Sequence, residues 1–510
     1  MLVSALEALQ VLLSPQHLLW TATGVALGVM LGIIPGLSGL TGMAVLLPLV
    51  VGLEPASAIA LLIGLMAATT IGDTFPSILM GVPGTAASQA TVVDGYPMAR
   101  QGLGRFALGA SFMANLLGGV LGAMTLFLLI PLARPLILGF GSPQLLALTL
   151  LGLSLIAVLT RGAVGPSLVA ALGGMFLASI GSATMTGEYR FVGNVFYFYD
   201  GLDLLILAIG LFAVPSVLSL LTQGQAVTPE LQSSRGGVLR GALTALRHRG
   251  VLIGNSLLGT FLGIVPGIGG SVIDWIAYGG TKRLARKNRE NFGKGDVRGV
   301  IAPEAANNAK DGGVLVPTLM FGIPGSATAA ILLGGLATIG VTTGPSMLRP
   351  ENLYLILVIA WTLALANVLG ALACMGMVGP LSRLSLLQPR TYAPFLLVIM
   401  LVAGYQSGRR WGDLVAVVVI GLLAWLMQAM KWPRPPLLIG FVLGPAAENY
   451  LWLSVSRYGW DWLLWPSVLV ILGIAAITIA SSFTGAGPGA VLDRATAQAD
   501  GGSDDRRTNA

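Results

Sequence analysis

Few side chains in this sequence can do chemistry, and most of them stand beside proline and glycine. Asp73, Asp274, Glu304, Lys310 and Asp311, with the amides Asn307 and Asn308, are set in or next to stretches that are otherwise apolar. In a bilayer each ionised side chain costs about 2.5–3.5 kcal/mol at mid-depth on insertion scales, so such residues are functional candidates by default. Asp73, Asn307 and Asn308, with the hydroxyls of Ser77 and Thr318, are oxygen ligands suited to a hard monovalent cation, and Asp73 can equally carry a proton. The competing reading is an ion pair, such as Lys310 with an aspartate, that only fixes the packing of two elements. For Asp274, Lys310 and Asp311 the packing reading is preferred.

The second kind of chemistry lies in the backbone. Gly28-x-x-x-Gly32-Ile33-Ile34-Pro35-Gly36 matches Gly259-x-x-x-Gly263-Ile264-Val265-Pro266-Gly267 at an offset of 231, and Pro76 to Ala86 matches Pro317 to Ala327 at an offset of 241. A helix broken at such Pro-Gly pairs exposes N–H groups at one stub and C=O groups at the other, giving anion and cation sites without charged side chains. Each stub contributes about 0.3–1 kcal/mol, so several must converge to hold a polyanion. The expected substrate contacts are Pro35, Gly36, Leu37, Ser38 and Gly39, then Pro83, Gly84 and Thr85, then Pro266, Gly267, Ile268, Gly269 and Gly270, and last Pro324, Gly325 and Ser326. Isolated glycines elsewhere are read as helix-packing residues.

The elements that must position these groups follow from composition. The 510 residues are 55% hydrophobic and only 10% charged, with a mean hydropathy of +0.84, against about 25% charged in an ordinary soluble domain. The chain is therefore expected to be an all-α polytopic membrane protein, with roughly ten to twelve membrane segments of about 20 residues each, some of them hairpins or discontinuous helices. Basic residues flank Val251 to Gly280 on both sides, with Arg235 to Arg249 before and Lys282 to Arg298 after. Both flanks are expected on the cytoplasmic side, so the intervening 30 residues must enter and return as a helical hairpin. The charge of +7 is read as a topology signal, not as a nucleic-acid surface.

The duplicated motifs divide the chain into two homologous halves, 1–222 and 251–481, joined by a polar cytoplasmic linker at 223–250 and followed by a disordered tail at 482–510. An inverted relation between the halves is expected. Interrupted hydrophobic segments at matching positions of two halves point to the binding site of a secondary transporter. The first 16 residues have neither a basic start nor a small-residue cleavage site, so the first apolar stretch is expected to remain in the mature protein. Cys374 is the single cysteine, which leaves no disulfide and no cysteine metal site. His17 and His248 are read as interfacial residues.

With these residues in place, the sequence resembles a known family. Ile34-Pro35-Gly36-Leu37 with Leu46-Leu47-Pro48, Gly81-Val82-Pro83-Gly84-Thr85, Asp94-Gly95-Tyr96-Pro97, Ala302-Pro303-Glu304-Ala305-Ala306-Asn307-Asn308-Ala309, Gly322-Ile323-Pro324-Gly325-Ser326, Pro433-Arg434-Pro435-Pro436, Leu443-Gly444-Pro445 and Glu448 are similar to the large membrane subunit of the tripartite tricarboxylate transporters. The likeness runs from about Leu18 to Glu448. It implies a multi-pass permease of the bacterial inner membrane, driven by Na+ or H+, that needs no cofactor. It also implies a small integral membrane subunit and a periplasmic solute-binding protein that delivers a di- or tricarboxylate such as citrate. Two departures, Gly72-Asp73-Thr74 and Lys310-Asp311, add an acid and a base beside the site, so the carboxylate class is carried over and citrate itself is not.

Two other function classes compete. A passive anion channel shares the composition but gives no reason for duplicated breaks. An intramembrane aspartyl protease would use Asp73 and Asp200; Tyr199-Asp200 fits half of that signature, while Thr70-Ile71-Gly72-Asp73 lacks the first glycine of the other half. Gly267-Ile268-Gly269-Gly270 follows no strand and is no dinucleotide loop.

Overall fold

The computed structural model describes residues 2–34, 37–159, 164–183, 185–222, 237–384 and 389–483. Among them the chain is helical almost throughout, apart from the two-residue strands Gly181–Ser182 (β1) and Tyr189–Arg190 (β2), which pair antiparallel. Seven described helical stretches are long and apolar enough to cross a membrane, and seven shorter apolar helices accompany them. The apolar segments are thus a mixture of whole and half-length helices, as broken spans require. The tail from 484 onward and residues 223–236 of the linker lie outside the described residues. Within the rest of that linker Val238–Arg247 is a helix, whose Gly241 backs onto Phe106.

Proline and short polar residues set the helix starts. Pro15 opens Pro15–Ile33 (α1), where Ser14 accepts from the His17 amide at 3.3 Å. Ser38 does the same for Gly39–Leu46 (α2), accepting from Thr41 N at 3.3 Å. Pro55 opens Pro55–Gly72 (α3), which is buried on all sides from Ser57 to Thr69 and so lies inside the bundle. Thr74–Leu79 (α4) continues it to the next break. Gln89–Met98 (α5) and the 35-residue Gly104–Leu138 (α6) follow, kinked between them at Gly102, whose φ is 78°. Ser142–Leu159 (α7) and Val164–Ala178 (α8) lead to the β1–β2 hairpin.

In the second part Arg249–Gly263 (α9) and Gly270–Leu284 (α10) form the expected helix-turn-helix over 251–280. Arg298–Phe321 (α11) is buried over nearly its whole length, with Pro303 and Pro317 inside it. Ala327–Thr338 (α12), Leu353–Gly376 (α13), Pro435–Tyr458 (α14) and Pro466–Phe483 (α15) complete the elements that bear on function. The basic loop between α10 and α11 is fastened to α5 by one buried carboxylate. Asp94 accepts from Tyr278 Oη at 3.0 Å and from the amides of Gly293, Gly295 and Asp296 at 2.8, 2.8 and 2.9 Å.

Lipid gives little hydrophobic drive for helices to associate, so close backbone approach must supply the packing. Glycine permits it here. A Cβ at Gly28 would lie 2.7 Å from Leu65 O, and one at Gly32 would lie 2.3 Å from Thr69 O, so α1 and α3 meet backbone to backbone. In the α9–α11 pair, Gly259 stands 2.2 Å from Ala306 O and Gly263 stands 2.5 Å from Lys310 O by the same measure. The second set is the first with 231 added to the glycine and 241 to its neighbour. Reciprocally, Gly72 meets Val29 O and Gly313 meets Thr260 O, with the same two increments. Between these pairs α6 packs on α11, Gly118 against Ala305 and Gly122 against Ala309.

Candidate functional site

The two later breaks are built alike. Gly81 and Gly322 end their helices with φ of 71° and 72°, a left-handed turn that favours glycine. The next residue donates back to a proline carbonyl, Val82 to Pro76 at 3.3 Å and Ile323 to Pro317 at 3.1 Å. A hydroxyl then staples the outgoing strand to the helix it left. Ser77 Oγ donates to Asp73 O at 2.7 Å and accepts from Gly84 N at 3.3 Å, while Thr318 Oγ1 donates to Val314 O at 2.6 Å and accepts from Gly325 N at 3.2 Å. Ser77 and Thr318 therefore hold the shape of the breaks with their hydroxyls already engaged. Beyond each break a hydroxyl caps the next helix, Thr85 accepting from Ala87 N and Ser326 from Ala329 N.

Three of the four breaks come together around α11. Gly267 N donates to Gly325 O at 3.2 Å, which joins the α9–α10 turn to the Pro324–Ser326 strand. A Cβ at Gly270 would lie 2.9 Å from Ala87 Cβ, 2.8 Å from Lys310 Cε and 3.5 Å from Asn307 Oδ1, so the start of α10 faces the Pro83–Thr85 break and α11 together. Ile268 and Pro324 are buried there, Pro83, Thr85, Pro266 and Ser326 are half-buried, and Gly269 is exposed. The fourth break is only partly visible. Pro35 and Gly36 lie outside the described residues, Leu37 packs on Leu220 and Ala393, and Gly39 backs onto Thr69. Ser38 Oγ stands 3.1 Å from Thr41 Oγ1, which continues to Ser216 Oγ at 3.1 Å.

The buried polar groups here are mostly acceptors. Asp73 is fully buried; its Oδ2 accepts from Thr85 Oγ1 at 2.6 Å and its Oδ1 has no partner. Both carboxylate oxygens of buried Asp274 and the side-chain oxygen of buried Asn307 are likewise unpaired. Lys310 Nζ donates to Asn307 O at 2.8 Å and pairs with Asp311 Oδ1 at 3.2 Å. Among the described residues no three acidic, histidine or cysteine side chains group closely enough for a metal ion, so a cation would draw on carboxylate, amide and main-chain oxygens together. The one stub with no side-chain cap is that of α10, after Gly269, and it lies beside Lys310. A solute carboxylate at this place would meet free backbone N–H groups and an ammonium.

Two predicted or noted residues serve a different network. Asn308 Nδ2 donates to Asn115 O at 3.0 Å and to Asn367 Oδ1 at 2.7 Å, and its Oδ1 accepts from Thr70 Oγ1. Glu304 accepts from Thr91 at 2.6 Å, Asn115 Nδ2 at 2.7 Å and Thr74 at 3.0 Å. These contacts tie α11 to α3, α4, α5, α6 and α13. Thr85 as partner of Asp73, and Asn115 and Asn367 as hubs, escape a reading of the sequence; single amides inside long apolar runs were the available signal. Asp200 is exposed and paired with Arg410 at 2.6 Å, whereas Asp73 is fully buried, so the two do not form the shared dyad that an aspartyl protease needs.

The sequence model of the Tripartite tricarboxylate transporter TctA family matches residues 18–439. An uncharacterized 52.8 kDa protein in the TAR-I ttuC' 3' region of Agrobacterium vitis is 29% identical over 482 residues, which cover 92% of this chain and 94% of that protein. A second uncharacterized protein, in the TAR-II ttuC' 3' region of the same organism, is 30% identical over 195 residues, 38% of this chain and 79% of its own length. No solved structure matches the chain.

Proposed function

Because the chain belongs to the Tripartite tricarboxylate transporter TctA family, and is therefore a membrane component of a tripartite transporter, we propose that it is the permease subunit of a cation-coupled carrier for a di- or tricarboxylate. In this reading it sits in a bacterial inner membrane beside a small integral membrane subunit, and a periplasmic binding protein delivers the carboxylate. Na+ or H+ supplies the driving gradient.

One observation carries the reading. Around the three converging breaks the unpaired buried atoms are all acceptors, namely Asp73 Oδ1, both oxygens of Asp274 and Asn307 Oδ1. Buried acceptors without donors are costly, and the groups that satisfy them are a cation or a proton. With that charge in place, Lys310 and the uncapped start of α10 hold the solute carboxylate; without it, the aspartates repel the solute. Binding of cation and anion is thereby coupled in one place, which a passive anion channel has no use for. The matching contacts of α1–α3 and α9–α11 support two homologous halves, and we take the halves as inverted, the breaks of both facing one solute.

The test is uptake by proteoliposomes holding this chain, the small subunit and the binding protein. Wild type is expected to accumulate carboxylate against its gradient and to stop when the Na+ and H+ gradients are both abolished. Asp73→Asn and Asp274→Asn are each expected to lower accumulation about tenfold or more, equivalent to losing about 1.4 kcal/mol or more of coupling, while inserting normally. Accumulation that persists without either gradient would overturn the carrier reading.

A further inference from the structure

Helices α7, α8, α14 and α15, with the turn Asp461–Leu464, line a half-open cavity of about 590 Å³, within the size range of small-molecule sites. Its wall is mostly apolar, formed by such residues as Leu146, Met175, Ala447, Leu451 and Leu472. One part is not. Arg190, carried in by β2, donates through Nη2 to Glu448 Oε2 at 2.9 Å, and both side chains line the cavity and remain partly exposed. Two of the lining residues carry a buried donor without a partner, Arg190 at Nε and Trp462 at Nε1, and Trp462 as a whole is only 3% exposed. They are the reverse of the orphaned oxygens around the breaks, and they call for an acceptor.

The chemistry at that end has two signs. A phosphate placed on Arg190 Nε and Trp462 Nε1 would satisfy both N–H groups, but Glu448 stands beside it and disfavours a simple anion. An ammonium on the same ligand answers Glu448. Trp452 and Trp460 line the cavity as well, and Tyr450, Tyr458 and Trp465 pack on the apolar cluster that holds Trp462. Tryptophan and tyrosine gathered at a helix end mark the level of lipid headgroups.

We propose that this cavity is a binding site for a zwitterionic aminophospholipid, its phosphate on Arg190 and Trp462, its ammonium on Glu448 and an acyl chain along the apolar wall of α7, α8 and α14. The site does not depend on the transport reading and uses none of its residues.

Native mass spectrometry of the detergent-purified chain, titrated with phosphatidylethanolamine, phosphatidylglycerol, palmitate or free phosphoethanolamine, tests it. One phosphatidylethanolamine is expected to be retained in preference to phosphatidylglycerol, and neither palmitate nor phosphoethanolamine to displace it. Trp462→Phe keeps the ring and removes the N–H, and is expected to weaken retention about tenfold, as loss of one hydrogen bond to a charged group does. Glu448→Gln is expected to abolish the preference over phosphatidylglycerol. Equal retention of the two phospholipids by wild type, displacement by palmitate, or unchanged retention by a folded Trp462→Phe protein would overturn the assignment.

Discussion

The break after α4 and the break after α11 share a backbone and differ in one ionisable side chain. Adding 241 turns Gly81, Ser77 and Gly84 into Gly322, Thr318 and Gly325, each making the same hydrogen bond or the same turn. The same increment turns Asp73 into Val314. Around α11 the imbalance runs the other way: Glu304, Asn307, Asn308, Lys310 and Asp311 stand where α3 has Ile63, Met66, Ala67, Thr69 and Thr70. Asp274 stands where α2 has Met43, on adding 231. The frame thus recurs at matching positions and the chemistry does not. Breaks can recur because they are main-chain structures that need only glycine, proline and a hydroxyl. Buried charges cannot be copied freely, since each one costs energy in lipid and needs its own partners.

The sharpest way to break that comparison is a single methyl group. A Cβ at Gly84 would fall 2.5 Å from Asp73 Cβ and 2.9 Å from its Cα, whereas one at Gly325 would fall 3.3 Å from Val314 Cγ1 and O. The first position has no room and no flexible neighbour; the second needs a shift of a few tenths of an ångström. Gly84→Ala is expected to cost about 1–3 kcal/mol of site geometry and to reduce uptake by roughly ten- to hundredfold. Gly325→Ala should stay within about threefold of wild type. Equal loss in both variants would show that the two breaks are functionally equivalent, and Asp73 would lose its special standing.

A smaller effect sharpens the contrast between Asn308 and its counterpart Ala67. Asn308→Ala leaves Asn367 Oδ1 without its donor and removes the bonds to Asn115 O and to the Thr70 hydroxyl, which keeps Ala67 O as an acceptor. Hydrogen bonds between membrane helices are worth less than their burial suggests, because other partners are found in the membrane. A loss of about 1–3 kcal/mol is therefore expected overall, visible as a lower melting temperature in detergent. Uptake per folded molecule should fall far less than in Gly84→Ala. If uptake vanished while melting was unchanged, Asn308 would belong to the solute or ion site and not to the frame.

Much of this arrangement was legible in the residues. Paired Pro-Gly strings gave the places of the breaks, and basic flanks gave the α9–α10 hairpin, because a helix stop and a topology signal are both local features. What was not legible depends on contacts between distant segments. Thr85 reads as an ordinary helix cap until it is found donating to Asp73, and Asn307 and Asn308 look interchangeable until one proves fully bonded and the other has an unpaired side-chain oxygen. The number of full-length spans was also hidden, since hydropathy measures the length of an apolar stretch and not where inside it a helix stops.

The two histidines give the finest version of the comparison, for 248 is 17 plus 231. His17 is buried in α1, with Nε2 2.8 Å from Thr362 Oγ1. His248 sits in the basic flank ahead of α9, half-buried, and burial first and the nearby Arg298 second push its pKa below the usual 6.5, Asp296 opposing them. Above about pH 6.5 the imidazole is neutral in the folded and unfolded chain, and stability does not depend on it. As the pH falls below that value the unfolded chain takes up the proton first, so stability declines until the lowered folded pKa is passed. Melting temperature measured from pH 7.5 to 5 should therefore fall less steeply in His248→Gln than in wild type. Identical slopes would mean that the His248 imidazole, unlike that of its counterpart His17, is not held in a buried environment.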